Sequence, residues 1–121
     1  KTMVKLELPT IYFDHDRSTL RPEAITKLND VAGMMKRHSH VQVMVSGHTD
    51  SDGTEGYNID LSQRRADAAV AYLVDQGIDA KRLHTAAAGE SQPAADNRTP
   101  EGRQANRRAE FAADPEIVEE K

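Results

Sequence analysis

The sequence predicts an α+β fold, in which helices pack on one side of a small mixed β-sheet. Two kinds of segment alternate along the 121 residues: short runs with apolar side chains at every second position, and longer runs with apolar side chains three or four positions apart. The first spacing places apolar side chains on one face of a strand, and the second places them on one face of a helix. The order strand, helix, strand, helix, strand, short helix, strand suits two layers around a single core.

The first half of the chain contains predicted strands on either side of a helix. Apolar and charged residues alternate over Val4–Leu8, and Ile11–Phe13 follows Pro9 with the apolar parity shifted by one, which predicts a kink or bulge at the proline. Apolar side chains at helical spacing follow over Pro22–His38, where the proline suits the first helical turn. Val41–Val45 is the next predicted strand, and it leads into a polar loop rich in glycine over residues 47–56.

The second half of the chain repeats strand and helix at closer spacing. A second helix is predicted over Asn58–Gln76, and Gly77 with the apolar residue after it fits a left-handed cap. Leu83–Ala88 is a third strand. Thr99–Glu101 has the cap residue, proline and acid that begin a short helix, and Ala109–Phe111 resumes strand alternation.

We divide the chain into one domain over residues 1–113 and an acidic tail over residues 114–121. In this prediction Asp114 and Pro115 end the sheet, and we expect the tail to be poorly ordered. The chain begins at Lys1 without a methionine or a leader-like stretch, so we expect it to be a piece of a longer or processed protein. Targeting and anchoring segments of that parent would then lie outside this sequence.

The composition argues against several classes of protein. Asp and Glu outnumber Lys and Arg by 20 to 16, and the aromatic residues are three Tyr and two Phe. The chain therefore lacks the excess of positive charge and the aromatic side chains that are typical of a nucleic-acid-binding protein. The absence of cysteine excludes a disulfide scaffold and a thiolate zinc site. No apolar run approaches the roughly 20 residues that a membrane-spanning helix needs. We therefore expect a single globular domain with no nucleic-acid partner.

Metal and catalytic sites can be sketched from the polar loop, but each lacks a required residue. Asp50–Gly53 resembles the beginning of an EF-hand, yet Glu55 and Leu61 stand where that loop needs a glycine and a bidentate acid. His48, an aspartate and Ser62 could form a hydrolase triad, but no nucleophile elbow surrounds the serine. The five histidines lack the pairing of a helical zinc site, and the glycines do not follow phosphate-loop spacing. We expect no metal, no cofactor and no enzymatic activity.

Asp50 and Arg65 suggest a different chemistry, the recognition of a zwitterion. The aspartate lies at the start of the loop and the arginine lies in the early turns of the next helix, so the two side chains can converge on one pocket. A guanidinium binds a carboxylate through two parallel hydrogen bonds, and a carboxylate accepts hydrogen bonds from an ammonium group. The alternative, favoured by spacing alone, is a partly exposed salt bridge between Asp50 and Arg65.

A set of spaced motifs runs through the chain from about Ile11 to Phe111. They are Gly47-His48-Thr49-Asp50, Gly53, Tyr57-Asn58, Leu61-Ser62-x-x-Arg65-Ala66, Gly77, Gly89-Glu90-x-x-Pro93 and Asn106-Arg107-Arg108-Ala109-Glu110. In this order the motifs resemble the signature of the OmpA-like peptidoglycan-binding domain. The resemblance covers nearly the whole chain, and it implies the family's β-α-β-α-β-β arrangement of sheet and helices.

The resemblance also implies a ligand and the residues that bind it. Members of this family bind the peptidoglycan stem peptide non-covalently through meso-diaminopimelate, whose free end carries both an ammonium and a carboxylate group. By the resemblance, Asp50 binds the ammonium and Arg65 binds the carboxylate. The further pocket residues that it implies are Asn58, Arg107, Thr49 in the same motif as Asp50, and Asp14 in a loop that supplies backbone contacts. One of the two arginines at 107 and 108 has an alternative role, as a structural pin at the corner between helix and strand.

The family resemblance places the domain in the cell envelope of a Gram-negative bacterium. The implied location is the periplasm, where the domain would tether a parent protein of the outer membrane or envelope to the cell wall. The parent would be a barrel, a lipid-anchored protein or a flagellar stator subunit, and it would meet the membrane only through segments absent from this sequence. Other envelope proteins are further expected partners. The alternative function is a periplasmic protein-interaction domain whose pocket is vestigial.

Overall fold

A computed structural model of the protein describes residues 2–120, which contain strands and helices in the predicted order. The helices are α1 (Pro22–Arg37), α2 (Glu55–Asp75) and α3 (Pro100–Asn106). The strands are β1 (Met3–Lys5), β2 (Ile11–Tyr12), β3 (Gln42–His48), β4 (Leu83–Gly89), β5 (Arg108–Asp114) and β6 (Val118–Glu120). A 3₁₀ turn over Ala80–Arg82 leads into β4.

The main sheet has the strand order β2-β5-β3-β4, and it is mixed as predicted. Strands β3 and β4 are parallel, whereas β5 is antiparallel to both β3 and β2. Val43 and Val45 are fully buried while Met44 between them is exposed, so one face of the sheet supports the core and the other faces solvent. The buried residues of α1 and α2 pack on the first face. These observations confirm the α+β fold with helices on one side of the sheet.

The chain after Pro115 differs from the prediction. Ile117 is 2% exposed and belongs to the core, and β6 pairs antiparallel with β1 to form a separate two-stranded sheet. His38 at the end of α1 lies 2.6 Å from the Glu119 carboxylate, which ties β6 to the helix layer. The expectation of a poorly ordered tail is therefore wrong, because burial of one apolar side chain and pairing with β1 hold this segment. The division at residue 113 stays a prediction, and residues 1 and 121 lie outside the described part of the chain.

Helix α2 begins one turn earlier than the sequence pattern indicated. The side chain of Thr54 accepts a hydrogen bond from the Tyr57 amide at 3.1 Å, so the helix starts at Glu55 and Asn58 lies within its first turns. At the other end, Gly77 has a φ of +97° and the next amide donates to the Leu73 carbonyl at 3.1 Å. The predicted left-handed cap is confirmed.

Gly47 allows α2 to lie directly against β3. A β-carbon at this position would lie 1.8 Å from the carbonyl oxygen of Ser62, which belongs to the helix backbone. Because main-chain atoms cannot rotate away as a side chain can, any larger residue must push α2 off the sheet. The contact between Gly47 and Ser62 thus sets the distance between α2 and β3. Arg65 lies three positions after Ser62, so this distance also places Arg65 at the end of β3.

We expect Gly47→Ala to lower the free energy of unfolding by about 3 kcal/mol or more, because the overpacking is against backbone. Gly56→Ala is a matched control, since no atom lies within 4 Å of a β-carbon there and the residue is helical. That control should be neutral or should add up to about 1 kcal/mol of stability. Urea unfolding of both variants measures the difference. Equal midpoints for Gly47→Ala and the wild-type protein would contradict the close approach.

Candidate functional site

Four chain segments meet at one end of the main sheet, where β2 and β3 finish and β5 begins. The loop over residues 49–54 leaves the end of β3, and the loop over residues 13–17 leaves the end of β2. The start of β5 and the first turns of α2 complete the enclosure. The parallel pairing of β3 with β4 holds the first loop in place, since the Thr49 amide donates to the Gly89 carbonyl at 2.9 Å. Polar side chains that are far apart in sequence are therefore gathered in one place.

Arg65 is the fully buried centre of this site. Its guanidinium donates from Nε to the Arg17 carbonyl at 2.9 Å, from Nη1 to the His48 carbonyl at 2.8 Å and from Nη2 to the Asp14 carbonyl at 3.1 Å. The guanidinium carbon also lies 5.2 Å from the centre of the Phe13 ring. Three of its five N–H groups are thus used within the described chain, and the remaining donors suit a ligand carboxylate.

The charge of Arg65 survives its burial. Desolvation lowers the pKa of the guanidinium to about 10, with Asp50 opposing and Arg107 adding to that effect. A pKa of about 10 still lies well above neutral pH, so the group remains a cation. It is therefore able to pair with an anionic ligand group.

Asp50 pairs with Arg107 rather than with Arg65. The carboxylate is 3% exposed, and its Oδ2 lies 3.1 Å from Arg107 Nη1. Its Oδ1 accepts from the Asp52 amide at 3.0 Å, which is the Asx turn of the loop. The alternative of a partly exposed Asp50–Arg65 salt bridge is wrong on both counts, because both residues are buried and the ion pair that the structure describes for Asp50 is with Arg107.

The adjacent arginines at the start of β5 have separate tasks. Arg107 donates from Nε to the Phe13 carbonyl at 3.1 Å and from Nη2 to Gln104 Oε1 at 2.8 Å, in addition to its pairing with Asp50. Arg108 instead bonds to Glu110 Oε2 at 2.8 Å and to the Gln92 carbonyl at 2.9 Å. The second arginine is thus a structural pin for the segment before α3, whereas the first both pins β2 and reaches the site.

The other predicted residues lie around the same network, and they contribute to it in different ways. Asn58 Nδ2 donates to Glu90 Oε1 at 3.2 Å and to the Asp50 carbonyl at 3.4 Å. Thr49 is buried, and its hydroxyl has no hydrogen-bond partner within residues 2–120. Asp14 contributes its carbonyl to Arg65, while its side chain is exposed. The structure thus brings all six predicted residues together, and their role in ligand binding stays a prediction.

The charges of the site differ between its interior and its rim. Arg65 and Arg107 outnumber the buried carboxylate of Asp50, so the interior carries one excess positive charge. The entrance carries exposed charges of both signs, and its cations include Arg17 and Arg21, which lies 3.8 Å from Asp14. The exposed acids there are Asp14, Asp16 and Asp52, of which Asp16 accepts from the Tyr57 hydroxyl at 3.2 Å and Asp52 lies 3.2 Å from His15.

The sequence-based alternatives for this loop do not form. Ser62 Oγ donates to the Ile59 carbonyl at 2.8 Å and accepts from the Gly89 amide at 3.0 Å, so it is a helix-to-strand contact and not a nucleophile paired with His48. The His48 ring is buried, and burial lowers its pKa, with Arg108 adding to that effect and Glu110 opposing it. This imidazole is consequently neutral at physiological pH.

One group of side chains in the described chain could hold a metal ion. Ligand atoms of His15, Asp50 and Asp52 all lie within 4.8 Å of one another. Asp50 already has Arg107 as its counter-ion, and that guanidinium would repel an added cation. The Asp50 carboxylate in this group is therefore already engaged by a cation of the protein.

Several residues of the site were missed by sequence reasoning. The loop after Phe13 was expected to supply backbone contacts, but Arg17 and His48 were not indicated individually, because they contribute only backbone carbonyls, which every residue type possesses. Gln104 joins through a neutral side chain on a short helix. The Asx turn at Asp50 was the one signal present, since Asp-x-Asp-Gly is a typical turn sequence.

Comparison with known proteins identifies the family to which the chain belongs. The model of the OmpA family matches residues 12–107, a range that includes all six predicted site residues. The chain belongs to the OmpA family. Outer membrane protein A of Bordetella avium is 46% identical over 100 residues, which cover 83% of this chain and 52% of that protein. The peptidoglycan-binding protein ArfA of Mycobacterium tuberculosis is 41% identical over 101 residues, covering 84% and 31% respectively.

Solved structures agree with the family assignment. The crystal structure of the peptidoglycan-associated lipoprotein from Burkholderia pseudomallei superimposes on this OmpA-family domain with a TM-score of 0.83 at 28% identity, covering 86% of this chain and 88% of that one. The chain spans about half or less of the two curated relatives named above. None of the helices within residues 2–120 combines the length and apolar character required to cross a bilayer.

Proposed function

We propose that this OmpA-family domain binds peptidoglycan non-covalently, through the meso-diaminopimelate of the stem peptide, and so tethers a longer envelope protein to the cell wall from the periplasm. The observation that carries the proposal is the juxtaposition of two buried guanidinium groups, Arg65 and Arg107, with the single buried carboxylate of Asp50. A ligand carboxylate would neutralise the excess positive charge of the two arginines. An ammonium group on the same ligand would meet the Asp50 carboxylate.

Diaminopimelate fits this arrangement because both charges stand on one carbon at the free end of its side chain. A ligand with only an ammonium would leave the interior uncompensated, and a simple anion would leave the Asp50 carboxylate without an ammonium partner. The names of two relatives support the same polymer, since one is a peptidoglycan-binding protein and the other a peptidoglycan-associated lipoprotein. The intact Asp50 and Arg65 favour this function over a vestigial pocket in a protein-interaction domain.

Selectivity for the type of stem peptide tests the proposal. We expect soluble stem peptides with diaminopimelate to bind about tenfold to a hundredfold more tightly than peptides with lysine, because lysine lacks the carboxylate that Arg65 would bind. The charge-assisted hydrogen bonds lost are worth about 1.5–3 kcal/mol. Titration calorimetry with the two peptides measures the ratio. Equal affinities would contradict the assignment of Arg65 to the ligand carboxylate.

Binding to whole sacculi distinguishes the two candidate functions. A wall-binding domain should sediment with isolated sacculi, whereas a protein-interaction domain should stay in the supernatant. The same incubation tests for catalysis. Because no nucleophile is placed against a general base within residues 2–120, we propose binding without turnover and expect no muropeptides in the supernatant. Release that grows with time and is absent in a variant of the site would indicate an enzyme instead.

A further inference from the structure

Strand β4 is an end strand of the main sheet, and its outer edge is unpaired. No other strand pairs with that edge within residues 2–120. The opposite end of the sheet offers little to a further strand, because β2 has only two residues and closely follows Pro9. β4 has seven residues, Leu83–Gly89, with no proline, lysine or carboxylate among them. It therefore lacks the features by which proteins usually protect a sheet edge from pairing.

The middle of this edge is open to a second strand. His84, Thr85 and Ala86 are exposed, and Ala87 and Ala88 are half-buried. Since an alanine side chain is a single methyl group, it leaves the main-chain N–H and C=O groups of the outer edge accessible. An extended chain can therefore add to β4 through main-chain hydrogen bonds.

Unpaired charges of opposite sign lie at the two ends of β4. Lys81 is exposed in the 3₁₀ turn before the strand. Glu55 is exposed beside the end of the strand, in a hollow of about 660 Å³ that also includes Ala88 and Glu90 and has no basic side chain in its wall. Neither the Lys81 ammonium nor the Glu55 carboxylate has an ion-pair partner within residues 2–120. A partner that matches this edge is acidic where it meets the turn and basic where it meets the hollow.

A second copy of this chain meets both requirements. When two β4 strands pair antiparallel, the beginning of each strand lies beside the end of the other. All seven residues pair only when Ala86, the middle residue of Leu83–Gly89, lies opposite its own copy. In this register residue 81 falls opposite residue 91, which lines the hollow of the other copy. The unpaired cation of each copy is therefore brought to the unpaired acid of the other.

Helix α2 adds an apolar contact to the same pairing. It runs antiparallel to β4, since Ile59 lies against Gly89 while Gln63 donates to Thr85 Oγ1 at 3.1 Å. Val74 lies on the same side of α2, because positions 59, 63, 70 and 74 are four, seven and four residues apart. Ile59 and Val74 are 42% and 40% exposed. The pairing brings Ile59 of one copy beside Val74 of the other and covers both side chains.

We propose that β4 pairs antiparallel with β4 of a second copy of this chain, about a two-fold axis at Ala86, and so joins two four-stranded sheets into one sheet of eight strands. Such an isologous contact is closed, because each copy uses its own β4 edge. The two candidate sites then lie at opposite ends of the joined sheet. A gain in avidity for the cell wall from two sites rests on the proposed function, whereas the pairing itself does not.

Cysteine cross-linking tests the register. The chain contains no cysteine, so Ala86→Cys introduces one thiol, and the proposed axis places it opposite the same thiol of the other copy, within the span of a disulfide. Ala112→Cys is the matched control, since Ala112 is an exposed alanine on the same face of the sheet but in the internal strand β5. Under mild oxidation, the linked dimer should form at least about tenfold faster for Ala86→Cys than for Ala112→Cys.

Sedimentation velocity without a cross-link measures the dimer itself. Wild-type protein should dissociate from dimer to monomer on dilution. Ala86→Lys places two ammonium groups opposite each other at the axis and should raise the dissociation constant at least about tenfold, whereas Ala112→Lys should leave it unchanged. Lys81→Glu should raise the dissociation constant about threefold to tenfold, and the double variant Lys81→Glu/Glu55→Lys should restore it, because the reversed charges match again.

Two results would overturn the pairing. One is a wild-type protein that stays monomeric at every concentration while both cysteine variants cross-link at the same rate, which would leave the edge to a segment of another protein. The other is a dimer that Ala86→Lys does not weaken although circular dichroism shows this variant to be folded, because a different surface would then form the dimer. Neither experiment contains peptidoglycan, so both failures leave the proposed function as it stands.

Discussion

Arg65→Met is expected to abolish stem-peptide binding and to lower the free energy of unfolding by about 3–5 kcal/mol. The wild-type guanidinium donates to three backbone carbonyls, at Asp14, Arg17 and His48, and each buried carbonyl without a donor costs about 1–3 kcal/mol. For a domain of this size the melting temperature should fall by more than about 10 °C. Thermal unfolding followed by circular dichroism measures the loss. Calorimetry at a temperature where the variant is folded measures binding.

Arg82 supplies a matched control for this variant. It also donates to three backbone carbonyls, at Val41, Met35 and His38, but these lie at the opposite end of β3 from the site. We expect Arg82→Met to be destabilised for the same physical reason and to bind stem peptide with unchanged affinity once folded. A folded Arg65→Met protein with wild-type affinity would contradict the role of Arg65 in the site.

Asp50→Asn is expected to weaken stem-peptide binding by about tenfold to a hundredfold, with a smaller effect on stability than Arg65→Met has. The amide oxygen can accept from Arg107, but the amide NH2 then faces the Asp52 amide that Oδ1 accepted from, so the free energy of unfolding should fall by about 1–3 kcal/mol. The ligand ammonium loses its charged partner, which is worth about 1.5–3 kcal/mol. Calorimetry and urea unfolding of the same preparation separate the two effects. A loss of binding no greater than the unfolded fraction would mean that Asp50 is purely structural.

A double-mutant cycle identifies the partner of Asp50 in the absence of ligand. We expect Asp50→Ala and Arg107→Ala to be coupled by more than about 1 kcal/mol in the free energy of unfolding, because the two groups are 3.1 Å apart and buried. Additive effects within about 0.5 kcal/mol would contradict the direct pair. Ligand binding should decrease the coupling, since the ammonium would share the carboxylate.

Local features of the fold could be predicted from the sequence because their causes lie within a few residues. Alternation over Val41–Val45 marks a strand with one buried face, and the glycine at 77 ends α2 in the expected left-handed conformation. The hydroxyl of Thr99 accepts from the Gly102 amide at 2.9 Å, as expected of a cap. The spaced motifs likewise sufficed for the family, since they consist of residue types in a fixed order.

Only the tertiary structure decided which side chains pair within the site and which contacts order the C-terminal segment. Asp50 and Arg107 are 57 positions apart, and their contact depends on β5 pairing with β3. Arg65 donates to backbone carbonyls, which are the same in every residue type, so the sequence does not indicate them. The burial of Ile117 accompanies the pairing of β6 with β1. A sequence pattern reports the periodicity of one segment. Pairing between distant segments depends on their shared burial and on the closure of long loops, which no single segment encodes.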